Sequence, residues 1–210
     1  MNKLAACCAE MPLFAVLRGV RADEAADVAR TLYDAGVRII EVTLNSPDPF
    51  ASIEAIANCA LQGALIGAGT VIAPEDVARV KSAGGEVIIS PNTDAAVIAE
   101  TKKRDLLSLP GFFTPSEAFA ALQAGADGLK FFPAELAAPA AVRAIRAVLP
   151  REAKLFVVGG VNADNMSDYV KAGADGFGAG SNLFKPGKSL SDIARDARAL
   201  TGNLRAALKG

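Results

Sequence analysis

The 210-residue sequence contains no histidine and no tryptophan, and aromatic residues make up 6% of it. The absence of histidine removes the side chain that most often acts as a general base and most often binds zinc. Hydrolysis by a Ser-His-Asp triad, proteolysis by a Cys-His pair and HExxH metal chemistry are therefore excluded. The three cysteines, Cys7, Cys8 and Cys59, form no recognisable zinc site without a histidine partner.

The chain also lacks an excess of charge of either sign, with 22 basic and 23 acidic residues and a formal net charge of −1. Nucleic acid is therefore not expected as a partner, because binding to a phosphate backbone requires a basic surface. No stretch of about 18 residues is free of charged side chains, so no membrane span is expected. Glu10 and Pro12 interrupt the mildly apolar N-terminus, which is not typical of a signal peptide. Together with the odd number of cysteines, this predicts a cytoplasmic protein with reduced thiols.

Short apolar runs alternate along the chain with alanine-rich segments of helical character. Near-continuous apolar runs of this length are typical of parallel strands covered on both faces. The segments between them begin with proline or carboxylates, which favour helix N-termini, at Ala22, Pro74 and Pro115. The eight runs are Leu13–Leu17, Ile39–Leu44, Leu65–Thr70, Val87–Pro91, Leu106–Pro110, Leu129–Pro133, Leu155–Gly159 and Phe177–Ser181.

An Ala-Gly pair precedes every second run, at 35–36, 83–84, 124–125 and 172–173. Each glycine is expected to end a helix and turn the chain into the next strand. The sequence therefore predicts an α/β fold, a (β/α)8 TIM barrel that forms a single domain over residues 1–210. We expect a short helix before the first strand and a long closing helix over Ser189–Leu208. A doubly wound open sheet is the alternative, but the first strand–helix turn lacks the G-x-G-x-x-G pattern.

Three charged residues lie in or directly after these apolar strands: Arg18, Glu41 and Lys130. Burying a charge is unfavourable, so such residues are expected to be paired or functional. One interpretation is a structural ion pair, or side chains that extend outward to solvent. The other is a nucleophilic lysine, activated by desolvation or positive charge, with a carboxylate that transfers protons. A lysine together with a carboxylate provides the groups that Schiff-base chemistry on a ketone requires.

Glycines end the last two predicted strands, at Gly159 and Gly160 and at Gly180, which is followed by Ser181. Glycine lets backbone N–H groups approach an anion, and barrels often bind phosphate after strands seven and eight. The alternative is that these glycines only permit tight turns. Thr70 and Pro91, at the ends of the third and fourth strands, are either site residues or ordinary turn residues.

These features together resemble the class I aldolases of 2-keto-3-deoxy-6-phosphosugar acids, the KDPG/KHG aldolase family. The resemblance extends from about Pro12 to Leu200, and the order and spacing of its motifs are specific. The motifs are Glu41-Val42-Thr43-Leu44, Gly67-Ala68-Gly69-Thr70-Val71, Ile89-Ser90-Pro91-Asn92, Leu129-Lys130-Phe131-Phe132-Pro133-Ala134-Glu135 and Val158-Gly159-Gly160-Val161.

The resemblance implies a reversible cleavage of a phosphorylated keto-deoxy sugar acid to pyruvate and glyceraldehyde 3-phosphate. It implies that Lys130 forms a Schiff base with the C2 ketone and that Glu41 moves protons. It also implies a homotrimer that needs no metal and no cofactor. Arg18 and Thr70 would hold the carboxylate, and Gly159, Gly160 and Ser181 the phosphate. Further residues expected to contact substrate are Pro91, Phe132, Val158 and Gly180.

Two branches of this family act on substrates that are epimers at C4. Leu44-Asn45-Ser46-Pro47 looks like the galactonate branch, and gluconate-type enzymes tend to carry threonine where this chain has Val158. A threonine hydroxyl can bond the C4 oxygen of one epimer, whereas valine cannot. The sequence therefore predicts a 6-phosphogalactonate-type substrate, with the gluconate epimer as the alternative. Another phosphate-binding barrel enzyme and a catalytically inactive scaffold protein remain further alternatives.

Overall fold

The computed structural model describes residues 2–209. Nine strand segments alternate with helices in this part of the chain. The strands are β1 (Leu13–Leu17), β2 (Ile39–Thr43), β3 (Leu65–Gly69), β4 (Val87–Ile89), β5 (Leu107–Leu109), β6 (Gly111–Phe112), β7 (Leu129–Phe131), β8 (Leu155–Val158) and β9 (Gly176–Ala179). The helices are α1 (Lys3–Glu10), α2 (Ala22–Asp34), α3 (Pro49–Ala57), α4 (Pro74–Ser82), α5 (Ala95–Lys103), α6 (Pro115–Gln123), α7 (Pro139–Arg146), α8 (Met166–Lys171) and α9 (Leu190–Ala207), with a 3₁₀ turn at Ala134–Leu136.

All the strand pairs are parallel, and the strands follow the order β5-β4-β3-β2-β1-β9-β8-β7-β6. Only Pro110 separates β5 from β6, so these two segments form one barrel strand and the sheet closes on itself. Proline has no N–H to donate to a ladder, but the Pro110 carbonyl accepts a hydrogen bond from Lys130 N–H at 2.9 Å. The predicted (β/α)8 TIM barrel is therefore confirmed, and the doubly wound alternative is wrong.

The predicted helix starts coincide with observed ones, because α2, α4 and α6 begin at Ala22, Pro74 and Pro115. At α6 the reason is a capping box, in which the Glu117 carboxylate accepts from Thr114 N–H at 2.7 Å. Helix α1 precedes β1, and the closing helix α9 follows Ser189, whose side chain caps it. These ends follow from local chemistry that the sequence displays directly.

The four Ala-Gly pairs end helices as expected. Their glycines, Gly36, Gly84, Gly125 and Gly173, have φ between +86° and +100°, which favours glycine strongly. In the last two copies the pair continues to an aspartate. Asp127 accepts from Ser108 N–H at 2.8 Å, and Asp175 accepts from Leu155 N–H at 2.9 Å. The repeat thus also fixes the beginning of the neighbouring strand.

Two apolar clusters build the core. The larger one lies between the outer face of the barrel and the helices, and the smaller one fills the barrel. Leu4 and Cys7 of α1 belong to the smaller cluster, so α1 closes the amino-terminal end of the barrel. The barrel cluster consists of Leu4, Cys7, Phe14, Val16, Ile39, Leu65, Val87, Ile89, Leu109, Phe156 and Val158.

Among residues 2–209, no helix combines the length and the apolar character needed to cross a membrane.

Candidate active site

Glu41 and Lys130 occupy the middle positions of β2 and β7, which are the second and sixth of the eight barrel strands. These strands lie on opposite sides of the barrel. Side chains alternate along a strand, so Glu41 shares the inward face with Ile39, a member of the barrel cluster. Lys130 likewise shares a face with Phe132, which packs against that cluster. Both charged side chains are buried, with 1% and 6% of their surface exposed.

A glycine makes room for the Glu41 carboxylate. A Cβ at Gly69 of β3 would lie 2.5 Å from Glu41 Cδ and 2.6 Å from each carboxylate oxygen. Within residues 2–209, Glu41 Oε2 is the buried side-chain atom that has no hydrogen-bond partner. Buried polar atoms are nearly always paired, and exceptions concentrate where a group is functional. The Glu41 carboxylate is thus held by packing and is free to accept a hydrogen bond or a proton.

Burial shifts the pKa values of both groups toward neutrality, and the opposite charges of Glu41 and Lys130 oppose these shifts. Desolvation raises the pKa of Glu41 to about 7, opposed by the positive charges of Lys130 and Arg18. Desolvation also lowers the pKa of Lys130; the Glu41 carboxylate opposes this shift and Arg18 adds to it. Within residues 2–209, no carboxylate oxygen lies within 4.0 Å of the Lys130 amine, so the structural ion pair considered above does not form directly. The amine lies 5.0 Å from the centre of the Phe132 ring.

The Lys130 amine opens into a cavity of about 540 Å³ at the carboxyl ends of the strands. This is the face on which barrel enzymes carry their active sites, and the volume suits a small ligand. Eight of the residues expected from the sequence line it: Arg18, Lys130, Phe132, Val158, Gly159, Gly160, Gly180 and Ser181.

Three expected site residues, Glu41, Thr70 and Pro91, are not part of the cavity wall. Glu41 is close enough to shift the pKa of Lys130. Thr70 directly follows β3 and is half-buried, with φ of +57°, which is uncommon for a β-branched residue. The Pro91 carbonyl lies against Gly111 of β6, where a Cβ would come within 2.3 Å of its oxygen. Both residues lie at the same end of the barrel as the cavity but are not brought into its lining.

Unpartnered backbone N–H groups gather at the glycine-rich end of the cavity. Within residues 2–209, the N–H groups of Gly160, Ser181 and Asn182 donate no hydrogen bond. The side-chain amide of Asn182 donates to the Val161 carbonyl at 2.9 Å, which joins the loop after β8 to the loop after β9. Helix α8 starts only at Met166, so the donors here are loop amides. Clustered loop amides of this kind bind anions.

Arg18 lies after β1, at the mouth of the barrel, on a loop fixed by Ser46. The Ser46 hydroxyl accepts from Gly19 N–H at 2.8 Å and lies 3.3 Å from the Leu17 carbonyl. The Thr43 hydroxyl of β2 lies 3.1 Å from the Ser46 hydroxyl. This contact positions the Arg18 backbone between β1 and β2. The Arg18 side chain makes no hydrogen bond or ion pair within residues 2–209.

Sequence reasoning missed four polar residues of the cavity wall: Glu135, Asn162, Asn182 and Lys185. Glu135 lies next to the glycine pair, where a Cβ at Gly159 would be 3.1 Å from its Oε2. It follows the Lys130 strand by a few residues, which is the signal that was available. Lys185 lies four residues after Ser181 in the same loop. No group of three or more Cys, Asp or Glu side chains in the described part of the chain is placed to hold a metal ion.

Known proteins resemble the chain over most of its length. The model of the family described as KDPG and KHG aldolase matches residues 4–195. The chain is 47% identical to a probable 2-dehydro-3-deoxy-6-phosphogalactonate aldolase of Rhizobium meliloti over 90% of this chain and 89% of that protein. It is 40% identical to the 2-dehydro-3-deoxy-6-phosphogalactonate aldolase of Escherichia coli over 95% and 98%.

A solved structure described as native KDPGal has the same fold. It aligns with a TM-score of 0.94 and 39% identity, covering 96% of this chain and 98% of that one. Unrelated enzymes also use the barrel fold, so a shared fold alone does not show a shared family. Here the sequence itself is similar as well, both to the family model and to these relatives. The chain belongs to the KDPG and KHG aldolase family.

Proposed function

We propose that this protein is a class I aldolase that cleaves 2-dehydro-3-deoxy-6-phosphogalactonate to pyruvate and glyceraldehyde 3-phosphate through a Schiff base on Lys130. One observation carries the proposal: the Lys130 amine is buried and opens into the cavity, and no carboxylate of residues 2–209 lies within 4.0 Å of it. An amine whose pKa is lowered by desolvation is neutral, and therefore nucleophilic, in a larger fraction of molecules.

The reaction begins with attack of the Lys130 amine on the C2 ketone. The resulting carbinolamine loses water and gives a protonated imine, which withdraws electrons from C3. Glu41 serves as the proton carrier, because a carboxyl with a pKa near 7 both gives and takes protons at neutral pH. Its unpaired Oε2 is the atom available for these transfers.

Cleavage follows removal of the proton from the C4 hydroxyl by Glu41, or by a water that Glu41 orients. The C4 oxygen becomes the aldehyde, the C3–C4 bond breaks, and its electron pair forms the C2–C3 double bond while the C=N pair moves to nitrogen, which converts the protonated imine to an enamine. Glyceraldehyde 3-phosphate leaves. The enamine takes a proton at C3, and hydrolysis of the imine consumes one water, which balances the one released when the imine formed, and frees pyruvate and the Lys130 amine.

The two anionic ends of the substrate match opposite features of the cavity. The carboxylate is bonded to C2, so it lies close to the Lys130 amine, where Arg18 is near enough to act on the pKa of that amine. The phosphate on C6 is more distant, which suits the loop amides at Gly160 and Ser181. Binding both ends fixes the ketone against the amine and removes orientational freedom before chemistry.

The galactonate epimer is supported by the two relatives that carry its name and by Val158. This valine lines the cavity beside the glycine pair and offers no hydroxyl to a C4 oxygen. The gluconate epimer is the second candidate, since the segment Phe131–Glu135 is also typical of that branch.

We also infer a homotrimer in the cytoplasm. The trimer follows from the family resemblance, and the compartment from the three cysteines, which are free thiols in the described residues. A molar mass by light scattering equal to three chains supports the trimer, and any other multiple contradicts it.

Borohydride trapping with pyruvate tests the mechanism. Wild-type protein should gain the mass of a reduced pyruvate adduct on Lys130, and Lys130→Ala should gain none. Lys102→Ala is a matched control, because Lys102 is bound to Asp127 at 2.6 Å and lies outside the cavity. Trapping retained in Lys130→Ala at another lysine would overturn the assignment.

Pyruvate release from the two C4-epimeric 6-phosphosugar acids, compared as kcat/KM, tests the substrate. Preference for the galactonate epimer supports the proposal, and preference for the gluconate epimer replaces it with the second candidate. Release from neither, with no trapping, indicates a different barrel enzyme. A scaffold protein would instead lose stability, and not activity, in Lys130→Ala and Glu41→Gln.

A further inference from the structure

Two lysines in the loop after β9 differ sharply in their surroundings. Lys188 is half-buried and bound to Asp196 at 2.7 Å, and it also donates to the Asn182 and Leu183 carbonyls. Lys185 is exposed and, within residues 2–209, its side chain makes no hydrogen bond or ion pair. Lys188 therefore holds the loop together, whereas the charge of Lys185 has no structural use.

Lys185 lines the same cavity as the Lys130 amine, although it plays no part in the mechanism given above. The turn after β9 brings it there, because Leu183 N–H and Phe184 N–H both bond back to the Gly180 carbonyl at 2.8 and 2.9 Å. This turn places Lys185 on the wall that carries the unpartnered Ser181 amide. A lysine ammonium offers three donors on a flexible stem and suits phosphate well.

The position of Lys185 relative to the reacting amine separates its role from that of Arg18. Arg18 acts on the pKa values of both Lys130 and Glu41, whereas Lys185 acts on neither. Lys185 follows Ser181 in the loop after β9, the loop whose amides suit the phosphate end of the substrate. In a substrate with its ketone at Lys130, the distant anion is the phosphate on C6.

The Glu135 carboxylate at this end of the cavity is a second reason for a positive charge at Lys185. Glu135 lies beside Gly159 and Gly160 and is a negatively charged group in the cavity wall. A phosphate bound by the Gly160 and Ser181 amides alone would face that charge without compensation. The Lys185 ammonium would offset it.

We propose that Lys185 is a phosphate-binding residue that gives this aldolase its preference for phosphorylated over unphosphorylated substrate. The inference rests on the proposed function and adds to it a residue that specifies the substrate class. Because Lys185 acts on a part of the substrate remote from the reacting carbon, its loss affects KM more than kcat.

The test compares wild type, Lys185→Gln, Lys185→Arg and the control Lys171→Gln. Lys171 is another exposed lysine, at the end of α8, that lies outside the cavity, so its substitution removes the same charge elsewhere. For the phosphorylated substrate, Lys185→Gln should lower kcat/KM by about tenfold to a hundredfold, mainly through KM. Lys185→Arg should restore most of it, and Lys171→Gln should change it less than twofold.

Two ligands show which anion Lys185 binds. Glycerol 3-phosphate carries only the phosphate end, so Lys185→Gln should weaken its competitive inhibition by a similar factor. Pyruvate carries only the carboxylate end, so its trapping by borohydride should be unchanged. Weakened pyruvate trapping with unaltered inhibition by glycerol 3-phosphate would assign Lys185 to the carboxylate and overturn the proposal.

The outcomes also separate this proposal from the proposed function. If wild type neither traps pyruvate nor cleaves a phosphosugar acid, the aldolase function itself is wrong. If wild type does both, and Lys185→Gln keeps full kcat/KM and full inhibition by glycerol 3-phosphate, only the role of Lys185 is wrong.

Discussion

The carboxylate of Glu41 lies directly against the Cα of Gly69, on the adjacent strand β3. A Cβ at position 69 would approach Glu41 Cδ to 2.5 Å, closer than a Cβ can lie to another atom. The glycine is therefore required by the carboxylate, and not by its own backbone, which has no positive φ. The Glu41 carboxylate fits at this place because the missing side chain of Gly69 leaves space for it.

Gly69→Ala should inactivate the protein without unfolding it. The added methyl group pushes away the end of a flexible side chain, so the Glu41 carboxylate moves and the fold adjusts at modest cost. We expect kcat to fall at least tenfold, while pyruvate trapping on Lys130 persists. Steady-state kinetics and trapping, followed by mass spectrometry, measure the two effects.

Gly202→Ala is the matched control for that substitution, because this glycine of α9 has open space around its Cβ position. It should leave both kcat and trapping unchanged. Equal kcat in Gly69→Ala and wild type would mean that the position of the Glu41 carboxylate is unimportant for turnover.

The pH dependence of activity should report the ionisation of Glu41. Removing the C4 proton requires the ionised carboxylate, so kcat should fall as the pH drops through about 7, where burial places the pKa of Glu41. Glu41→Gln should lose most turnover and, with it, this limb of the profile. A profile in the residual activity of Glu41→Gln that keeps the same limb would assign it to another group.

The same group should make stability depend on pH. Unfolded Glu41 ionises near 4.5, whereas folded Glu41 keeps its proton up to about 7, so the folded state binds more protons between these values. Its contribution to stability is full below 4.5 and is lost as the pH rises through 7. The free energy of unfolding of Glu41→Gln, relative to wild type, should therefore rise by about 3 kcal/mol as the pH increases from 4.5 to about 7. Urea titrations at several pH values measure it, and a flat difference would contradict the prediction.

Ser46→Ala should weaken carboxylate binding through the Arg18 loop. The substitution leaves Gly19 N–H without its 2.8 Å partner, which costs about 1–2 kcal/mol of stability. The loosened loop should raise KM more than it lowers kcat. Ser52→Ala is the control: its hydroxyl also donates to a backbone carbonyl, that of Asp48, but in a helix. The control should lose comparable stability without any change in KM, and an equal KM in both variants would remove Ser46 from carboxylate positioning.

Val158→Thr should reduce the preference for the galactonate epimer. Val158 is 6% exposed and lines the cavity, so threonine of nearly equal shape places a hydroxyl there. A hydrogen bond to the C4 oxygen of the gluconate epimer would change the ratio of the kcat/KM values for the two epimers by a factor that corresponds to about 1–3 kcal/mol. Side-by-side assays with both epimers measure the ratio. An unchanged ratio would show that Val158 does not distinguish the C4 configuration.

Much of the fold was predictable because its determinants are local. The helix starts at Ala22, Pro74 and Pro115 and the turns at Gly36 and Gly84 each depend on a few adjacent residues. The eight apolar runs indicated parallel strands for the same reason. The division of one barrel strand at Pro110 was not predicted, because it depends on pairing with β4 on one side and β7 on the other.

The candidate site was predicted in part. Lys130 and Glu41 stood out because a charge within an apolar strand is unfavourable unless it is used. The sequence could not show that Gly69 holds the Glu41 carboxylate, nor that Ser46 joins the ends of β1 and β2, since these are contacts between distant segments.

The sequence by itself determined the barrel and the glycine-rich ends of the last strands, because both depend on the local spacing of residues. It also determined the two buried charges, because burying a charge is unfavourable unless the charge is used. Only the tertiary structure decided which lysines near the cavity are free. Lys185 and Lys188 are alike in sequence, but Asp196 of α9 neutralises Lys188 and leaves Lys185 facing the cavity. The physical reason is that the pairing of a charge depends on which groups the fold brings within a few ångströms of it.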